Sequence, residues 1–127
     1  MTGGSFNDAE SAQTEAVLHR FNQVFLSHKP DALAELVADD CVIENTLPAP
    51  DGARYEGKEA CIALWTQIAT TPGIHFRPES ISARGDRGEI KWRLVWGPEP
   101  MDSVRGVNLM RVRDGRIVEA HGYVKGK

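Results

Sequence analysis

The strongest constraint on the fold sits near the C-terminus, where residues 103–125 read SVRGVNLMRVRDGRIVEAHGYVK. Two alternating apolar and polar runs flank Asp114-Gly115, and Asp-Gly in that setting specifies a tight hairpin, because both residues accept the positive φ of the favoured turn. Successive strand side chains point to opposite sides, so the alternation assigns two surfaces. On the first strand Val104, Gly106, Asn108, Met110 and Val112 share one face, while Arg105, Val107, Leu109, Arg111 and Arg113 share the other. On the second, Val118, Ala120, Gly122 and Val124 oppose Ile117, Glu119, His121 and Tyr123. The uncharged set is predicted to line the core, and Asn108 is its one polar side chain.

Upstream of this hairpin the periodicity changes. Residues 1–7 carry Gly and Ser and are expected to be loose. From Asp8, Val17, Leu18, Phe21, Val24 and Phe25 recur at three- and four-residue spacing, which predicts an amphipathic helix ending before Pro30. A short second helix is expected over 31–37, burying Leu33, Leu36 and Val37. Residues 41–47 read as a strand with Cys41, Ile43, Asn45 and Leu47 inward and Val42, Glu44 and Thr46 outward. A Pro-rich loop follows, with Arg54 and Tyr55 over the expected mouth, before Gly57-Lys58-Glu59 opens a third helix. Its stripe is Cys61, Leu64, Trp65 and Ile68, and Thr71-Pro72-Gly73 ends it. Residues 74–83 form a poorly alternating strand that Pro78 assigns to an edge or a bulge. Ile90, Trp92, Leu94 and Trp96 then mark the inner face of another strand.

Helices early and strands late predict one α+β domain over residues 8–127, a cone-shaped curved antiparallel sheet wrapped by three N-terminal helices. A net charge of −3 with mixed signs argues against nucleic acid as a partner, and the sequence has no run of membrane-spanning length. The polar N-terminus predicts a cytoplasmic protein. Cys41 and Cys61 fit no metal or redox spacing and read as reduced, buried thiols; no metal or cofactor motif is present.

The strings ADDCVIEN at residues 38–45, GKEA at 57–60 and MRV…DGRI at 110–117 resemble the nuclear transport factor 2-like superfamily, with its cystatin-like fold. Within it, ketosteroid isomerases and SnoaL-like proteins are the nearest patterns, and the resemblance spans about residues 12–125. It implies a cone-shaped pocket and a homodimer formed through the outer sheet face. Ketosteroid isomerases use an Asp base, a helix Tyr and a protonated Asp. Residue by residue, Asn45 stands at the base, Phe21 at the Tyr and Asn108 at the second Asp. A neutral amide does not abstract a proton, and Phe has none to donate. The limonene-epoxide-hydrolase branch fares alike: Asn45 matches its Asn, but Ile43, Trp92, Leu94 and Gly122 replace its Tyr, Arg and two Asp residues.

The candidate ligand-binding residues are therefore Phe21, Asn45, Trp65, Trp92, Asn108 and Met110. Asn45 and Asn108 either satisfy backbone groups at a bend or donate amide N–H to a ligand oxygen. The expected function is binding of a hydrophobic or polycyclic carbonyl compound in an apolar pocket. The alternatives are an isomerase- or cyclase-type proton transfer using an unidentified base, and a scaffold filled by its own side chains. His121 and Glu44 belong to the outward set.

Overall fold

The structure, a computed structural model, describes the backbone of residues 3–126 and the side chains of residues 8–126. Helix α1 spans Gly3–Ser27 and begins five residues before the Asp8 start expected from the apolar pattern. The expectation of a loose segment over residues 1–7 falls in part on Met1 and Thr2, which lie outside the described residues. The stripe of α1 buries Val17, Leu18, Phe21, Val24 and Phe25, and Thr14 and Asn22 join it. Ser11 and Thr14 tie the helix to a hairpin turn: the Ser11 hydroxyl accepts Gly85 N–H at 2.8 Å, and the Thr14 hydroxyl donates to Gly85 C=O at 2.6 Å.

A 3-10 turn, Pro30–Ala32, precedes helix α2, Leu33–Leu36. Val37, expected to close that helix, instead opens strand β1, Val37–Glu44. The strand thus starts four residues before the expected Cys41 and stops before Asn45. Exposed Asp39 and Asp40 hid its beginning, because a register shift between Val37 and Val42 carries them to the surface. Arg54 and Tyr55, expected in a loop, lie in a three-residue strand β2, Arg54–Glu56, with Tyr55 opposite Ile43. Helix α3, Lys58–Thr70, follows as expected and buries Cys61, Leu64, Trp65 and Ala69.

Strands β3, His75–Arg84, β4, Arg87–Val95, β5, Ser103–Arg113, and β6, Arg116–Val124, complete a six-stranded curved open sheet in the order β2-β1-β6-β5-β4-β3. The sheet is antiparallel except at one seam, where β1 runs parallel to β6. Strand β3 is an edge with a register shift between Pro78 and Ser80, the edge-or-bulge behaviour that a proline lacking N–H imposes. Asp114 and Gly115 take φ of +54° and +77° in the turn between β5 and β6. The three helices cover one face of this sheet, and together they form an α+β fold whose core is Phe21, Leu18, Trp65, Ile90, Met110 and their apolar neighbours.

Two face assignments are corrected. Ile117, expected outward, is fully buried and pairs with Val112, because the β5–β6 register shifts between Arg111 and Val112 and changes the phase there. Trp96, counted with the inner face of β4, lies beyond the strand end and is 49 % exposed. Past the shift the alternation of β6 holds: Ala120 is buried, and His121 pairs with Leu109 on the outer face.

Candidate functional site

Between the helices and the inner sheet face lies a cavity of about 250 Å³. Its wall is a chain of edge-to-face rings, a geometry that sets the positive edge of one π-system against the negative face of the next. Trp65 meets Phe21 at 4.7 Å, Phe21 meets Phe25 at 4.9 Å, Phe25 meets Phe76 at 5.6 Å, and Phe76 meets Trp92 at 5.5 Å. The last ring ends on a polar group: the Trp92 indole N–H donates to Asn108 Oδ1 at 3.3 Å. An indole only donates, so this contact fixes the amide orientation and leaves the Asn108 NH2 for another acceptor.

The sheet makes room for both partners. Trp92 pairs with Gly106 and Asn108 with Gly122. A Cβ at Gly106 would stand 2.5 Å from the Trp92 ring. The Asn45 position has a different support. Its backbone N–H donates to Ala53 C=O at 2.9 Å, and the loop closes through Gly52 N–H to Pro48 C=O at 2.8 Å. Gly52 takes φ of +83°, and a Cβ there would fall 1.9 Å from the Asn45 carbonyl oxygen. A side chain at Gly52 would therefore displace Asn45.

Five of the six candidate residues, Phe21, Asn45, Trp65, Trp92 and Asn108, line this cavity. Met110 does not. It sits opposite Gly88 in the register, where Leu18 presses onto the sheet, and is 3 % exposed within the packed core. Leu47, expected inward, is 64 % exposed at the lip of the cavity. Phe25 and Phe76 complete the ring chain, and Asn22 adds a third amide that the sequence reading passed over. The signal for Asn22 was present, since it stands four residues after Leu18 and three before Phe25, within the buried stripe.

Among the described lining residues the only ionisable side chain is Glu44, and its carboxylate is engaged by His121 and Arg54, neither of which lines the hollow. It lies 3.2 Å from His121 Nδ1 and 3.9 Å from Arg54, on the outer side of the sheet. His121 also lies 3.6 Å from Glu119, which Arg111 holds at 2.8 Å. Further along that outer face Arg105 grips Glu79 at 2.6 Å, holding its carboxyl below the usual carboxylate range. Arg113 does the same to Asp40 at 2.7 Å. Cys41 and Cys61 are free and buried, as expected, with Cys61 Sγ donating to Cys41 C=O at 3.4 Å; burial pushes both thiols upward in pKa. No helix of the described residues is long and apolar enough to cross a membrane.

An open sheet wrapped by helices around an aromatic-walled hollow is an architecture that hosts many chemistries. The sequence profile of the SnoaL-like domain matches residues 18–120, so the chain belongs to the SnoaL-like family. It is similar to a nuclear transport factor 2-like protein of unknown function from Mesorhizobium loti, 58 % identical over 92 % of this chain and 94 % of that one, with a TM-score of 0.86. It shares its fold with a protein from Kribbella flavida named provisionally as a ketosteroid isomerase (20 % identity, 93 % and 82 % of the two chains, TM-score 0.77). The same holds for an epoxide hydrolase from Mycobacterium tuberculosis resembling limonene epoxide hydrolase (20 % identity, 91 % and 85 % covered, TM-score 0.69). No curated protein matches the sequence.

Proposed function

We propose that this protein binds a hydrophobic, ring-based carbonyl or hydroxyl compound in the cavity, with Asn45 and Asn108 holding its oxygen. The observation that carries the reading is the pairing of a continuous aromatic wall with an amide whose acceptor is already taken by Trp92, so that its N–H2 remains to donate. Burial of apolar rings supplies the affinity and the amides supply the orientation. The names of the structural relatives favour proton transfer on a carbonyl compound as the second reading. It requires a base, and the ionisable lining residue, Glu44, is engaged on the other side of the sheet.

The reading extends to assembly and setting. Leu109 and Tyr123 are exposed among the outer ion pairs, and a second copy of the chain is the partner that the reading assigns to this face. Two buried reduced thiols suit the cytoplasm.

Trp65 and Trp92 report directly on the wall, so the test is a titration of tryptophan emission with ketones of graded size: cyclohexanone, 1-tetralone and androst-4-ene-3,17-dione. A saturable change with at least one of them, weakened about fivefold in Asn108→Leu, is expected for the loss of one neutral hydrogen bond. No saturable change and no shift in melting temperature with any of the three would overturn the reading.

A further inference from the structure

Asn22 poses a question that the two matched amides do not answer. It is 9 % exposed, it lies on the helix side of the cavity, and its side chain makes no hydrogen bond with another described residue. A buried amide normally finds a partner, because leaving one without is unfavourable. Yet no fully enclosed side-chain nitrogen or oxygen lacks a partner among the described residues. The Asn22 amide therefore keeps contact with open space, and the space it lines is the cavity. Both its neighbours on the buried stripe, Leu18 and Phe25, are apolar, so an apolar residue would fit the packing at this position better than an amide does.

The geometry points to Asn22 as a second polar anchor, facing Asn108 from the opposite wall, for a compact ligand of one or two rings that carries a hydrogen-bonding group at each end. This assignment rests on the proposed binding of a ring-based carbonyl or hydroxyl compound and narrows it. Asn108 belongs to the sheet and Asn22 to α1, so the two amides lie on different layers and both line the same cavity. An amide offers both a donor and an acceptor, and Asn22 accepts or donates to whichever group the ligand presents. Size follows from volume: a hollow of about 250 Å³ falls below the roughly 300–1,000 Å³ of pockets that enclose drug-sized molecules. A bicyclic frame suits it better than a four-ring one.

The test uses the full-length chain and matched probes: 1-tetralone, which has one polar end, and 5-, 6- and 7-hydroxy-1-tetralone, which have two. Wild-type protein is expected to bind at least one hydroxytetralone about fivefold more tightly than 1-tetralone. Asn22→Leu is expected to erase that preference and to melt at a higher temperature than wild type, since an unpartnered amide is removed. Asn22→Ala reports the same loss of preference if leucine packs poorly. Androst-4-ene-3,17-dione is expected to bind at least about tenfold more weakly than 1-tetralone. Binding of 1-tetralone without a preference for any hydroxyl isomer, or a preference that survives both substitutions, overturns the role of Asn22 alone. Tighter binding of the steroid overturns the size class. Failure of every probe to bind overturns the broader reading as well.

Discussion

The two faces of the same sheet carry opposite chemistries. On the inner face β4 and β5 present Ile90, Trp92, Asn108 and Met110; on the outer face they present Lys91, Arg93, Arg105 and Arg111. The inner polar groups are neutral amides whose partners are few, while the outer ones are charges paired at 2.6–2.8 Å in Arg105–Glu79 and Arg111–Glu119. Water explains the division. Outside, solvent screens each charge and a salt bridge forms with little net gain. Inside, an unpaired charge would be strongly unfavourable, so a cavity without a partnered acid or base holds amides and rings. Phe21, Asn45 and Asn108 line the hollow with a ring and two amides, none of them ionisable.

The contrast predicts that inner substitutions disturb stability and binding, whereas outer ones do neither strongly. Phe21 is 2 % exposed and contacts two rings, so Phe21→Ala is expected to lower unfolding free energy by about 3–5 kcal/mol in chemical denaturation. Next comes Gly106→Ala. The added methyl collides with Trp92, and a loss of about 1–3 kcal/mol with a changed tryptophan emission is expected. Asn108→Leu leaves the Trp92 N–H without its acceptor and is expected to destabilise by about 1 kcal/mol alongside its effect on ligand. Smallest is Glu79→Gln on the outer face. The Glu79 carboxyl is held below its ordinary value by Arg105, so its contribution is present above the unfolded-state pKa and fades as pH falls through the folded one. The substitution should flatten the acid limb of a melting-temperature profile and leave ligand affinity unchanged; a lost affinity would mean that the two faces are coupled.

Much of this division is legible in the sequence. The alternation of β5 placed Asn108 and Met110 inward correctly, because a hairpin with an Asp-Gly turn leaves little freedom of register. The pattern failed where backbone geometry, and not side-chain period, decides the face. The register shift beside Val112 buried Ile117, and the shift in β1 concealed the strand's first four residues. Strand β2 has three residues, too few to show a period. Met110 illustrates a different limit: facing inward does not distinguish the lined hollow from the packed core beneath α1. Asn22 was missed because a helical stripe is read from its apolar members, and one buried amide within it leaves the apolar period unchanged.

The central claim is that ligand meets only neutral side chains. Its most direct test is the dissociation constant of 1-tetralone, followed by tryptophan emission between about pH 5 and pH 9, a range that carboxyl groups perturbed upward, imidazoles and thiols would cross. A flat profile, varying by less than about twofold, is the result expected of amides alone. A sloping profile, with affinity changing about tenfold per pH unit through any part of that range, would place a titrating group in the cavity and contradict the account.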